Sequence, residues 1–431
     1  MKKLAINGGQ PVRKKLFPAY KVIGSAEKKA AIRVLNSGIL SKFLGCWDPD
    51  FYGGPEILKF EKEWAKHFKV KHAIAVNSCT SGLQCSVGAA GVGPGDEVIV
   101  TPFTMSASVS APLIYGGVPV FADIEAKHFC LDPKSIEKRI TKKTKAIIVV
   151  DVLGLPYDVS AINAIAKKHN ITVIEDCAQA IEAKYKGKFA GTLGDIGVYS
   201  LNFHKHIHTG EGGVVVTNNG KLAERIRMIR NHAEAVMGGR KDMKDLTNMV
   251  GFNMRMTEMQ AAIGREQLKK LSKLVKARIK NCNYLASKLS KIPGIEFPPT
   301  RKGATHSYYT QPFLFNEKIA GIKREKFIEA VKAELPPIEK REAEGVIITC
   351  GARPLYMLPL FQKKIAIGKK GYPFNLSKSV SYKKGICPVA ERLHEKEMVY
   401  HELMRPPMSK KDLDDVAKAF QKVYDNRREI K

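Results

Sequence analysis

Along the first two thirds of the chain, short apolar runs alternate with stretches in which apolar residues recur every three or four positions. That alternation predicts a sheet with helices packed on its faces. Apolar runs at 73–76, 97–101, 119–124, 146–153, 172–176, 195–200 and 213–217 predict seven strands. Residues 146–150, Ala-Ile-Ile-Val-Val, carry no polar side, as expected for a central strand covered on both faces. Helical spacing is found over 57–68, 81–90, 106–115, 159–169 and 221–231. In 251–290, Met256, Met259, Ile263, Leu268, Leu271 and Leu274 predict one or two long amphipathic helices that connect this unit to a second one. The remainder reads as a strand at 307–315, a helix at 324–334, an irregular Pro- and Gly-containing stretch and a closing helix at 410–424. The expected division is an N-terminal arm (1–25), a large α/β domain with a mostly parallel seven-stranded sheet (26–275) and a smaller C-terminal α+β domain (276–431).

Composition narrows the class. With 431 residues and 44% hydrophobic side chains, the chain is too long and too apolar for disorder, a fibre or a stapled mini-protein. The 72 Lys+Arg against 42 Asp+Glu leave a net +30, which raises nucleic acid or an acidic ligand as a partner. The lysine pairs at 142–143, 363–364, 369–370 and 383–384 are not interleaved with aromatics, so they read as solvated faces, and nucleic acid is set aside as a partner. None of the eight cysteines has zinc-knuckle or C-x-x-C spacing, which predicts free thiols in a reducing cytoplasm. The opening residues lack the apolar core of a signal peptide, and no stretch approaches a membrane span.

Candidate chemistry lies where three segments leave their strands, because the C-terminal edge of a parallel sheet is where ligands bind. In 76–83, Val-Asn-Ser-Cys-Thr-Ser-Gly-Leu, a strand runs into a helix through hydroxyl residues, giving either an ordinary N-cap or a phosphate site at the helix N-terminus. In 173–180, Asp176 follows a buried apolar strand, as a helix cap or as the partner of a cationic ring nitrogen. In 198–213, Lys205 sits between Ser200 and a glycine-rich turn. A phosphate anchor (Thr80, Ser81, Ser200), a carboxylate (Asp176) and an amine (Lys205) form the set that pyridoxal phosphate requires. Its aldehyde forms a Schiff base with a lysine, its ring nitrogen needs an anion, and its phosphate needs donors. Lys205, once released from the cofactor, would act as the proton shuttle.

The order of these motifs resembles the DegT/DnrJ/EryC1/StrS aminotransferases, the sugar aminotransferase branch of fold type I pyridoxal phosphate enzymes. The resemblance runs through GGPEILKFEKEWAKHF (53–68), SCTSGL (78–83), GPGDEVIVTPFT (93–104), IEDCAQA (174–180), GTLGDIGVYS (191–200), KHIHTGEGGVVVTN (205–218), GFNMRMTEMQAAIG (251–264) and CPVAERL (387–393). It implies that Lys205 carries the cofactor as an internal aldimine, that Asp176 binds the pyridine nitrogen and that Gln179 contacts the 3-hydroxyl side. Thr80, Ser81 and Ser200 would hold the phosphate. Asn253 is similar to the asparagine that reaches the phosphate of the neighbouring subunit's cofactor, which implies a homodimer with shared sites.

Three positions depart from the family's pattern. Met105 stands where an aromatic stacks on the cofactor ring, Cys79 where glycine is common, and Asp151 where many relatives carry histidine. Some relatives replace the Schiff-base lysine with histidine and dehydrate their substrate. Lys205, five residues before Gly210, is in the aminotransferase register, and His204 and His206 are not. In a strand, His204, His206 and His208 would share one face, but no further ligand is close in sequence, and metal binding is set aside. The resemblance thus implies an enzyme of amino sugar or polysaccharide biosynthesis. It would move an amino group from glutamate or glutamine to a keto group of a nucleotide-linked sugar or cyclitol. A keto-sugar dehydratase and a non-catalytic regulator or nucleic-acid binder on the same fold are the alternatives.

Overall fold

Seven strands form the main sheet of the computed structural model, which describes residues 3–239, 244–340 and 345–430. They are β1 His72–Val76, β2 Glu97–Val100, β3 Val118–Phe121, β4 Thr144–Val150, β5 Thr172–Asp176, β6 Ile196–Ser200 and β7 Gly213–Thr217, in the order β1-β7-β6-β5-β4-β2-β3. Six run parallel, and β7 is antiparallel to both of its neighbours. No helix interrupts 201–212, so the chain returns beside β6 in the opposite sense. Residues 146–150 are wholly buried, and helices cover both faces of the sheet.

A second, antiparallel sheet is built from β8 Ile295–Glu296, β9 Gln311–Phe315, β10 Ile348–Cys350 and β11 Met398–His401, in the order β8-β9-β11-β10. It carries its own apolar core, to which Leu4 and Phe17 of the N-terminal arm contribute. The arm is held there by the buried Glu334 carboxylate, which accepts the N–H groups of Ala5 at 2.8 Å and Val12 at 3.0 Å and pairs with Lys422 at 2.8 Å.

Three sequence expectations are corrected at their edges. The region 251–290 holds a single 32-residue helix, Glu258–Leu289, begun by a capping box between Thr257 and Gln260. Residues 252–254 are extended instead, pairing with 229–231 through Phe252 N–H to Ile229 O at 2.8 Å and Met254 N–H to Arg230 O at 2.9 Å. The strand expected over 146–153 stops at Val150, because Val152–Gly154 turns, with Leu153 at φ 58° and Gly154 at φ 106°. The strand expected over 307–315 begins at Gln311. Residues 307–309 dock on that same turn, Ser307 N–H to Gly154 O at 2.9 Å and Tyr309 N–H to Leu153 O at 2.8 Å. A Cβ at position 154 would lie 2.6 Å from Tyr308 N, so glycine permits the approach.

Candidate active site

Helix Cys79–Ala89 starts three residues after β1, and Ser78 caps it by accepting the Ser81 N–H at 3.0 Å. Ser81 donates its hydroxyl to Asn77 Oδ1 at 2.5 Å and lies 2.8 Å from Ser78 Oγ. At such a terminus the first N–H groups, here those of Cys79 and Thr80, have no partner within the helix and present positive charge. Gly213 brings this terminus to Ser200, since it is the register partner of both Val76 and Ser200. A Cβ at 213 would sit 2.7 Å from Cys79 N and the Ser78 carbonyl oxygen, so only glycine lets β7 pass so close. Thr80, Ser81 and Ser200 are thereby gathered from two distant segments. Ser200 is buried, with Oγ accepting the Asn202 N–H at 3.3 Å.

Asp176 ends β5 as a buried carboxylate. Its Oδ2 accepts the Ser108 hydroxyl at 2.6 Å and its Oδ1 the Ala178 N–H at 3.1 Å. Burial raises its pKa above the ordinary aspartate value, opposed by those two hydrogen bonds and by the charge of Lys205. Lys205 follows a turn closed by its N–H to Asn202 O at 2.9 Å, and its Nζ lies 4.3 Å from the centre of the Tyr309 ring. The half-buried Cys79 thiol has its pKa raised by desolvation and by the Asp176 charge and lowered by the Lys205 charge. Gln179 Oε1 accepts the Leu153 N–H at 2.7 Å, which fastens the residues after β5 to the turn after β4.

Two expected positions have exposed side chains and join this cluster only through backbone at or beside them, Met105 O accepting the Ser108 hydroxyl at 3.4 Å. Met105 is 65% exposed, its sulfur accepting the Ser106 hydroxyl at 3.3 Å. Asn253 is also exposed, with Oδ1 taking the Arg255 Nε–H at 2.7 Å, one residue from Met254, whose carbonyl accepts the Asn77 N–H at 3.0 Å. The histidines do not alternate along a strand, because 204–208 is a run of turns. His206 is fully buried against Ser307 O at 3.0 Å, and burial, followed by the Arg278 charge, holds its pKa well below the usual histidine range.

Ser108 and Tyr309 escaped the sequence reading. Ser108 lies in the first turn of helix Ala107–Ile114, in a segment read only as helical; a hydroxyl at a helix start near the sheet edge was its available signal. Tyr309 arrives from the far third of the chain, and no local pattern marks it.

Among the described residues, neither Asp176 nor Lys205 has an ion-pair partner within 4.0 Å, although Asp176 is buried. A buried acid, an amine and a helix N-terminus lined with hydroxyls fit a ligand with a cationic ring nitrogen, an aldehyde and a phosphate. The fold and this donor set define a pyridoxal phosphate enzyme of fold type I.

Comparison with known proteins places the chain more closely. It belongs to the DegT/DnrJ/EryC1/StrS aminotransferase family, whose model matches residues 49–421, and it is a pyridoxal phosphate-dependent aminotransferase. It is 31% identical to the L-glutamine:scyllo-inosose aminotransferase of Streptomyces griseus over 99% of both chains. It is 39% identical to the GDP-perosamine synthase of Caulobacter vibrioides over 58% of this chain and 66% of that one. An aminotransferase structure from Psychrobacter cryohalolentis superposes with a TM-score of 0.79 at 29% identity, covering 95% of this chain and 99% of that one.

Proposed function

We propose that this aminotransferase moves an amino group from glutamate or glutamine to a keto group of a nucleotide-linked sugar or a cyclitol. Pyridoxal phosphate, when bound, supplies the electron sink for the charge left as an amino acid loses its α-proton. Lys205 holds the cofactor and, once freed from it, carries that proton on Nζ. Asp176 would pair with the ring nitrogen, with the Ser108 hydroxyl and the Ala178 N–H favouring its ionised form against the effect of burial. Thr80, Ser81 and Ser200 would anchor the phosphate, Gln179 would contact the 3-hydroxyl side of the ring, and Met105 would pack on its face. Asn253 serves the neighbouring subunit's cofactor in a cytoplasmic homodimer, and its exposure on the single chain supports that reading.

The observation that carries the proposal is the register of the strand ends: Gly213 lies opposite both Val76, just before Ser78–Ser81, and Ser200, and Asp176 ends β5 opposite Val198, two residues before Ser200. Both acceptor classes stand in the proposal: the inosose aminotransferase matches over more of the chain, and the GDP-perosamine synthase matches at higher identity. Lysine at position 205, where a dehydratase has histidine, favours amino transfer over dehydration.

Borohydride reduction of the holoenzyme followed by peptide mapping tests the site, and the label is expected on Lys205 alone. Incubation with glutamine or glutamate should convert the cofactor to its amine form, and keto cyclitols and nucleotide-linked keto sugars should then regenerate it. Label on another lysine, or no conversion by either donor, would overturn the proposal. Gel filtration is expected to give the mass of a dimer.

A further inference from the structure

Beneath the Asp176 segment lies a pair of acids that the aminotransferase chemistry does not use. β4 and β5 are in parallel register, Val149 opposite Glu175 and Val150 opposite Asp176. Side chains alternate along strands, so Asp151, Glu175 and Cys177 project from one face of the sheet and Asp176 from the other. All three are fully buried, and their oxygen and sulfur atoms lie within 4.8 Å of one another. Asp151 Oδ1 accepts the Tyr157 N–H at 2.9 Å and Oδ2 the Cys177 S–H at 3.0 Å. Glu175 Oε2 accepts the N–H groups of Leu193 at 3.0 Å and Gly194 at 3.2 Å, while its buried Oε1 has no donor.

Two adjacent carboxylates in a dry interior cannot both stay charged without a cation. The titratable groups facing Asp151 are Glu175, Cys177, Tyr157, Cys130 and Tyr199, all acids, and no lysine, arginine or histidine pairs with either carboxyl among the described residues. One proton resolves both the repulsion and the vacant Oε1.

We propose that Asp151 is protonated in the folded protein and donates that proton to Glu175 Oε1, forming an acid–carboxylate pair that positions the residues after β4 and β5. Burial and the neighbouring Glu175 charge both hold the Asp151 carboxyl well above its usual range, in keeping with that assignment. The pair stands at the root of three connections. The Asp151 N–H bonds Asp176 O at 3.1 Å, the following turn presents Leu153 N–H to Gln179, and Leu153 O receives Tyr309 N–H. Asp151 and Glu175 are thus positioning residues for Asp176, Gln179 and the ring facing Lys205.

Infrared spectra of the holoenzyme test the proton independently of amino transfer. The wild type should show the carbonyl stretch of a buried protonated carboxylic acid at a pH where exposed carboxylates are ionised, and both Asp151→Asn and Glu175→Gln should lack it. Each variant retains an N–H to bridge the pair, so loss of one to misfolding leaves the other informative. The linkage has a definite sign. Asp151 keeps its proton when folded and loses it near pH 4 when unfolded, so the contribution of this one group to stability is fully present below that pH. That contribution declines by about tenfold in the folding equilibrium per pH unit until the folded-state pKa is passed. Asp151→Asn should remove that slope, together with the alkaline change in cofactor absorbance that follows loss of the shared proton; the absorbance arm rests on Asp176 facing the ring, the infrared arm does not. Absence of the band in wild type, its persistence in both variants, unchanged pH dependence in Asp151→Asn, or a stoichiometric divalent metal removable by chelator would each overturn the proposal.

Discussion

The Ser108 hydroxyl donates to Asp176 Oδ2 at 2.6 Å, joining the helix after β2 to the end of β5. A hydrogen bond to a buried charged group counts for about 1.5–3 kcal/mol, and this one opposes the burial that raises the Asp176 pKa. Ser108→Ala should therefore lower kcat/KM by roughly 10- to 100-fold. Asp176 will then hold its proton to higher pH, so the acid limb of the kcat/KM profile should move upward. A profile superimposable on wild type would show that Ser108 does not tune Asp176.

Lys205 Nζ over the Tyr309 ring is a cation–π contact, of the order of 0.5–2 kcal/mol. Tyr309→Leu should reduce kcat/KM by a few-fold to tens of fold, with Tyr309→Phe close to wild type because the ring face is kept. Steady-state kinetics of the three proteins distinguish a role for the ring from a role for the phenol.

Gly213→Ala places a methyl 2.7 Å from Cys79 N, against backbone that cannot step aside. Overpacking of this kind costs about 1–3 kcal/mol. Its effect should fall on the helix N-terminus, so the dissociation constant for pyridoxal phosphate, followed by absorbance, should rise about tenfold or more. Gly210→Ala is the control: it has φ 84° but no heavy atom within 4 Å of the added methyl, and should strain the loop without closing the cradle.

Glu61 and Arg230 form a buried ion pair at 2.8 Å that also binds both backbone groups of Ala75 in β1, the N–H at 2.8 Å and the carbonyl at 2.9 Å. Removing one partner strands the other charge, at a cost of about 3–5 kcal/mol. Glu61→Ala should unfold at clearly lower urea concentration than wild type. Replacing both residues with Leu and Met should recover much of the loss.

Much of the large sheet was legible in the sequence, because its strands are local apolar runs. β5 and β7 were read to the residue, while β4 was begun two residues late and overran where Asp151 begins a turn. The three strand-end segments were legible for the same reason: each polar group stands directly after its strand, and parallel topology carries such ends to one edge. The contacts that fix their arrangement were not legible, since they depend on Gly213 meeting Ser78 and on Tyr309 reaching back from the second sheet through the turn at Gly154. Asp151 illustrates the difference. As a letter it was a departure from a familiar motif; its partner Glu175 lies 24 positions away and was read only as the residue before Asp176. Periodicity and strand-end chemistry are properties of neighbours in the chain, so the sequence by itself determined the elements and the reactive residue types. Contacts between segments far apart in the chain depend on packing, so only the tertiary structure decided which hydroxyl supports Asp176, which ring faces Lys205 and which two acids share one buried site.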